Sequence, residues 1–321
     1  MTGLRPTPRP TRRGVLAAGA AALALRPAVA LSPADPASPV EVADGVWMIE
    51  GAAQSFARTN GGAICNIVLL ATPEGAVVVD TGSNARQGAA LRQLADQKFG
   101  GVAAVVNTHH HPDHWLGNQA FADRPILALP QSRALQAENG QGYSDNLYRI
   151  LGSWMNGTAF MPATADAAPG PLVIGGRALR LIAMSGHSQA DLLLLDQATG
   201  TLVAGDMLFL DRAPSFPDAA IADWLAGLDR IAAIGAGGVV PGHGPFHRSS
   251  AALAQTRAYL RAFAGRMARA SGLGLAPAEA IHAGPMPEFA SLGANPEEYR
   301  RAVVQRWRDF ESDALPVIGG T

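Results

Sequence analysis

Cysteine is almost absent from this chain. The single Cys65 among 321 residues excludes an internal disulfide and any zinc finger built on thiolates, so a metal site here must draw on His and carboxylate. Net charge is missing too. With 25 Lys and Arg against 26 Asp and Glu, the formal charge of −1 argues against a nucleic-acid partner. The N-terminal apolar run from Gly14 to Leu25 falls short of the ~20 residues a bilayer-spanning helix needs. There is no short-period repeat, no Ser/His/Asp triad signature and no phosphate loop, since Gly61-Gly62 lacks the Lys and Ser/Thr such a loop requires. What the chain does have is 48% hydrophobic residues, enough for a large core and against global disorder, and eight histidines.

Residues 1–30 hold five arginines, Arg5, Arg9, Arg12, Arg13 and Arg26, and no acidic residue. The apolar run follows Arg12-Arg13 and leads to Ala28-Val29-Ala30, the small-x-small pattern of a signal-peptidase site. TRRGVL (residues 11–16) resembles a twin-arginine export signal, and Arg26 directly after a weakly hydrophobic run favours that route over the basic n-region of an ordinary secretory signal. This reading places the mature protein in the periplasm, folded before transport, with no stable membrane anchor once residues 1–30 are removed. The remainder has 20 basic and 26 acidic residues, a net −6. Residues 31–40, rich in Pro, Ala and Ser, read as a linker, and 41–248 as the main domain.

Strand-like runs fall at Val46–Gly51, Ile64–Ala71, Ala76–Asp80 and Val102–Thr108, with a helical pattern over Asn84–Phe99. A second series comprises Ala178–Met184, Asp191–Asp196, Leu202–Ala204, a helix near Ala220–Ile234 and the strand Gly238–Val240. Two such halves predict an α/β sandwich, sheets inside and helices outside. Gln131–Gly170 reads as a helix-containing insertion over a site. Ser249–Met267 and Pro296–Asp313 read as helices packing by one face, a C-terminal segment (249–321) on the same domain.

Four histidines fall within six positions of one loop, Thr108-His109-His110-His111-Pro112-Asp113-His114, directly after a strand-like run. Pro112 disfavours regular helix before it, so the side chains can fan out, His109 and His111 toward one cation, Asp113 and His114 toward a neighbour. Three more pieces each follow a strand-like run: Gly186-His187-Ser188, Gly205-Asp206 and Pro241-Gly242-His243-Gly244. A glycine beside each ligand lets the chain turn at the strand end.

In this order, an HxHxDH loop, a distant His, a distant Asp and a final His, the pattern resembles the metallo-β-lactamase superfamily over nearly all of residues 44–245. The resemblance implies an αββα sandwich with a two-zinc site at one edge. His109, His111 and His187 would bind one zinc, Asp113, His114 and His243 the other, and Asp206 would bridge them; His110 falls on a variable position. Two cations about 3.5–4 Å apart lower the pKa of a shared water to near 7 and stabilise the developing oxyanion, which gives a nucleophile without Ser or Cys. Asp113 would also orient that water. Asp80, in Val78-Val79-Asp80-Thr81-Gly82, matches the family's carboxylate that supports a ligand His, a plain turn Asp being the other reading. His and carboxylate ligands suit Mn or Fe as well as zinc.

Asp206 argues against a class B β-lactamase, in which the bridging Asp is generally absent, and His111 stands where flavodiiron relatives have Glu. Trp115-Leu116-Gly117-Asn118-Gln119-Ala120-Phe121 and Arg212-Ala213-Pro214-Ser215-Phe216-Pro217 are similar to the SoxH-like group, particularly the quinoprotein relay system zinc metallohydrolases. That likeness implies an exported hydrolase of an ester, thioester or amide-type bond in a small molecule, accessory to PQQ-dependent alcohol oxidation and associated with a periplasmic quinoprotein or cytochrome c. The competing readings are an antibiotic-hydrolysing metallo-β-lactamase and a non-catalytic metal-binding accessory of a quinoprotein system. Phe56, Trp115 and Trp154, with Met155 and Phe160, are the candidate walls of an apolar substrate pocket, ordinary packing being the alternative. Cys65 reads as a buried small hydrophobe. His110, His247 and His282 carry no role that the sequence supports.

Overall fold

The computed structural model describes Gly3 and residues 38–314. The leader expected over 1–30, and residues 31–37 of the linker, lie outside them. In chain order the strands and helices are β1 (Val40–Ala43), β2 (Val46–Ile49), β3 (Ile67–Thr72), β4 (Gly75–Val79), α1 (Ala85–Phe99), β5 (Val102–Val106), the single turn α2 (Pro112–Trp115), β6 (Ile126–Ala128), α3 (Pro130–Leu151), β7 (Ala165–Asp166), β8 (Gly170–Ile174), β9 (Arg177–Met184), β10 (Asp191–Asp196), β11 (Thr201–Val203), α4 (Ile221–Ile234), β12 (Gly238–Val240), α5 (Ala251–Gly272), α6 (Pro277–His282) and α7 (Glu297–Ala314). Seven strands form one sheet in the order β1-β2-β3-β4-β5-β6-β7, and five form the other in the order β12-β11-β10-β9-β8.

The alternation of side chains along the strands builds the layers. On β3 and β4, Val68, Leu70, Val77 and Val79 point between the sheets, where they meet Leu179, Leu181, Leu192, Leu194, Val203 and Val240. The intervening Ile67, Leu69, Ala76 and Val78 point outward under Leu91 and Ala95 of α1. On the other sheet Leu193 and Leu202 face outward against Trp224 and Leu228 of α4, Phe263 of α5 and Tyr299 and Val303 of α7. The sequence of layers is helix, sheet, sheet, helix, the expected αββα sandwich. Both strongly buried strands, β4 and β10, read as nearly continuous apolar runs for this reason.

Asn84 starts α1 by accepting a hydrogen bond from the Gln87 amide at 3.1 Å, which fixes where the chain leaves the β4 end. The two C-terminal helices bury one stripe each, Thr256, Tyr259, Leu260, Phe263 and Met267 on α5 and Tyr299, Ala302, Val303 and Trp307 on α7. Among the described residues no helix is long and apolar enough to cross a membrane.

The run expected as a strand from Ile64 pairs regularly only from Ile67. The Asn66 amide donates to Gly242 O at 2.8 Å, and its side chain donates to Pro241 O at 2.8 Å and Gly244 O at 2.6 Å. Residues 64–66 are thereby tied to the loop after β12 on the other sheet. Strand β5 likewise stops two residues early, because Asn107 and Thr108 turn into the strand-end loop.

Leu194 is fully buried between the sheets. Leu194→Ala should lower the unfolding free energy by roughly 2–5 kcal/mol, read as a lower urea midpoint with an unchanged slope.

Candidate metal centre

All the ligand-type side chains singled out in the sequence lie at strand ends on one edge of the sandwich. Asp80 follows β4 directly, in the left-handed region at φ +65°, which Asp tolerates better than bulky residues. Its Oδ1 accepts from the Thr108 amide, its Oδ2 accepts from Thr108 Oγ1, and Oδ2 lies beside His114 Nδ1, each at 2.8 Å. A carboxylate at Nδ1 holds the proton there and turns Nε2 of His114 inward, where it has no hydrogen-bond partner among the described residues.

The same logic fixes the other imidazoles. Thr108 Oγ1, already donating to Asp80, accepts from His109 Nδ1 at 3.1 Å. His111 Nε2 donates to Asp218 Oδ2 at 2.8 Å, and His243 Nδ1 donates to Ile64 O at 2.7 Å. Donation to these outer partners leaves the inner nitrogens of His109, His111 and His243 as acceptors, whereas His187 Nδ1 has no partner among the described residues. His109 Nε2 is 2.9 Å from His111 Nδ1, which is 2.8 Å from His187 Nε2. The acceptors on His109 and His111 repel one another at that distance unless a cation lies between them, so this donor set fits a metal.

A second group sits alongside. Asp113 Oδ2 is 3.4 Å from His243 Nε2 and 3.6 Å from His114 Nε2. Asp206 stands between the groups, with Oδ1 at 3.2 Å from His114 Nε2 and Oδ2 at 3.2 Å from His243 Nε2 and 3.4 Å from His187 Nε2. Residues His109, His111 and His187, and separately Asp113, His114 and His243, present ligand atoms within 4.8 Å of one another. Each set could hold one ion, and Asp206 reaches toward both. Gly242 makes room for it, since a Cβ there would collide with Asp206 Oδ1. Gly205 supplies the turn before Asp206 at φ +51°.

Burial holds His109 and His187 well below the ordinary imidazole range, in the neutral form that ligates metals. Burial also opposes charge on Asp206, but His243, His114 and His187 together hold its carboxyl well below the usual carboxylate range. For His114 burial is again outweighed, here by Asp206, Asp113 and Asp80, which raise it well above the imidazole range, so a cation held beside these carboxylates would take the place of a proton on Nε2.

Part of the donor set opens onto a cavity of about 160 Å³. His111, Asp113, Asp206 and His243 line it together with Phe56, Tyr143 and Arg212. Of the expected pocket walls, Phe56 is in place. Trp115 and Trp154 are not on the cavity. Trp115 is fully buried, its Nε1 donating to His110 O at 2.7 Å, and Trp154 donates to Arg58 O at 2.9 Å. They pack with Leu147, Leu151, Met155 and Phe160 into a small apolar cluster that seats α3 beside the loop. Aromatic residues next to the ligand motif serve the loop's foundation here.

Several functional positions carried no local signal in the sequence. Asp218 accepts from His111 and lies 3.2 Å from His110 Nε2, which gives His110 a place in the same network. Its two imidazole partners hold the Asp218 carboxyl far below the usual range. Asp191 accepts from the Ser188 amide at 3.0 Å and from Ser188 Oγ at 2.7 Å, fixing the loop of His187, and burial pushes it up to about 7. His247 Nδ1 accepts from the Ser249 amide at 3.0 Å and lies 2.8 Å from Ser249 Oγ, while its backbone bridges to Val239, away from the donor set.

The family model described as the metallo-beta-lactamase superfamily matches residues 60–243, more than half of the chain. Among solved structures, a metallo-beta-lactamase from Pontibacter korlensis is 22% identical, with 70% of this chain and 98% of that one covered at a TM-score of 0.56. The metallo-beta-lactamase FIM-1 from Pseudomonas aeruginosa, in its mono-zinc form, is 19% identical over 72% of this chain and 97% of its own, also at 0.56. A metallo beta lactamase from Erythrobacter litoralis is 22% identical over 70% and 95%, at 0.54. At these identities the likeness is one of fold. No curated protein matches the sequence.

Because Asp218 and Asp80 hold His111 and His114 from outside the donor set, Asp218→Ala and Asp80→Ala should each weaken zinc binding by about 10–100-fold while the fold persists, measured by competition with a chromophoric chelator.

Proposed function

The chain belongs to the metallo-β-lactamase superfamily, and from that premise we propose that it is a dinuclear zinc hydrolase of an ester, thioester or amide-type bond in a small molecule. The observation that carries this reading is the adjacency of two three-residue donor sets, joined by Asp206, from which His111, Asp113, Asp206 and His243 line one cavity. Zinc ions bound there supply an activated water and electrostatic stabilisation of the oxyanion. His109, His111 and His187 would hold one ion and Asp113, His114 and His243 the other, with Asp206 placed to reach both.

The chain's own residues supply the rest. Asp113, on the cavity wall, would accept a hydrogen bond from the attacking water and orient it toward the carbonyl. Tyr143 faces the same cavity from α3, and burial, reinforced by Asp218 and Asp113, raises its hydroxyl above the ordinary phenol range. It stays protonated and donates a hydrogen bond to substrate. Phe56 gives the acyl group an apolar contact.

The TRRGVL string, the short apolar run and Ala28-Val29-Ala30 support export by the twin-arginine route to the periplasm. The stretches Trp115–Phe121 and Arg212–Pro217 support a place among the quinoprotein relay metallohydrolases, serving a periplasmic quinoprotein or cytochrome c.

Purified protein should carry two zinc ions per chain and hydrolyse members of a panel of esters, thioesters and lactams. His111→Ala should lower both metal content and turnover, the latter by at least about 100-fold if the water is activated by metal. Less than one metal per chain, or unchanged turnover in His111→Ala, sinks the reading; turnover confined to nitrocefin moves it to a β-lactamase. For export, N-terminal sequencing of periplasmic protein should begin at Leu31, and replacing Arg12-Arg13 by Lys-Lys should retain the precursor in the cytoplasm.

A further inference from the structure

The cavity has a second wall that the donor sets do not explain. Opposite residues come from Arg212, in the stretch after β11, and from Glu298, Arg301 and Gln305 of α7, all lining the same space as His111, Asp113 and His243. Glu298, Arg301 and Gln305 fall at i, i+3 and i+7 and so share one helix face. Both Arg212 and Glu298 are 2% exposed, and one guanidinium nitrogen of Arg212 lies 3.3 Å from Glu298 Oε1. Arg301, 43% exposed, reaches the same oxygen at 3.2 Å.

A buried guanidinium demands partners on all its donors, because an unpaired donor away from water costs about 1–3 kcal/mol. Arg212 Nε has none among the described residues, and Glu298 is shared between two arginines. Two positive charges and one negative leave this wall with one net positive charge. That balance suits a single carboxylate, which a guanidinium fork accepts in two parallel hydrogen bonds, better than a dianionic phosphate. The cavity, about 160 Å³, is also smaller than the ~300–1,000 Å³ of drug-sized sites and fits a short acyl group.

We propose that Arg212 and Arg301 bind a carboxylate at the far end of the substrate's acyl chain, so that the enzyme's substrates are half-esters, half-thioesters or half-amides of short dicarboxylic acids. The inference rests on the hydrolase reading for its reaction, but its binding half does not. Glu298 positions both guanidinium groups, and Gln305 and Ser215 offer further polar contacts on the same wall.

Two measurements test it. On zinc-loaded protein, kcat/KM for 4-nitrophenyl hemiglutarate should exceed that for neutral 4-nitrophenyl pentanoate by at least tenfold, the worth of one charge-assisted hydrogen bond. Arg301→Gln, at a half-exposed site that the fold tolerates, should lower that ratio about tenfold or more, with Arg301→Lys restoring part of it. On zinc-free protein, calorimetric titration with glutarate should give binding that weakens to a similar degree in Arg301→Gln. A ratio near one that Arg301→Gln leaves unchanged overturns the proposal, as does inorganic phosphate binding the zinc-free protein more tightly than glutarate. If neither ester is hydrolysed but glutarate binding still depends on Arg301, the carboxylate subsite stands and the hydrolase reading fails.

Discussion

Five imidazoles and three carboxylates, those of His109, His111, His114, His187, His243, Asp80, Asp113 and Asp206, are packed almost without solvent at one edge of the sandwich. Everything else at this end of the molecule answers to that constraint. Outer partners, Thr108, Asp80, Asp218 and the Ile64 carbonyl, take the proton-bearing side of each ring they touch. The inner side is left crowded with imidazole nitrogens and carboxylate oxygens, a set that cations would reconcile. Ion binding there and the stability of the strand-end loops would be thermodynamically linked.

The sandwich supplies the rigidity that such a cluster requires. Both sheets contribute, β4 and β5 from one and β9, β11 and β12 from the other, and their ends can meet only if the inter-sheet core holds them in register. Asn66 is the clearest link in that chain. Its side chain bridges the β3 side to the Pro241 and Gly244 carbonyls, so the loop of His243 is fixed by the opposite sheet. This is also why Ile64–Asn66, apolar enough to read as strand, is not paired as one.

Much of this was legible in the sequence because the physics is local there. Period-two and near-continuous apolar runs marked β3, β4, β9 and β10, and the ligand types cluster right after strand ends, where side chains can converge. Strand β6 and the edge strand β7, of three and two residues, are too short to show a period. Asp218 sits in a Pro-rich stretch with no spacing relation to His111, more than a hundred residues away, so only the fold reveals their pairing. Trp115, beside the ligand loop, and Trp154, in the insertion, are placed by the fold in the cluster that seats α3, because position along the chain says nothing about which face an aromatic ring takes.

The largest gain from three dimensions concerns the C-terminal helices. Their arginines and one-sided apolar spacing read simply as surface helices packed by one face. In the fold, the apolar stripe of α7 packs against α5 and thereby aims Glu298 and Arg301 at the cavity from a segment that lies beyond the span of the family model. The metal-type donors and Arg212 lie within the span of the family model, whereas Glu298 and Arg301 come from a helix that follows it. Such a division would let the donor set stay fixed while α7 tunes the far wall of the cavity, because the partly exposed Arg301 belongs neither to the inter-sheet core nor to the donor network.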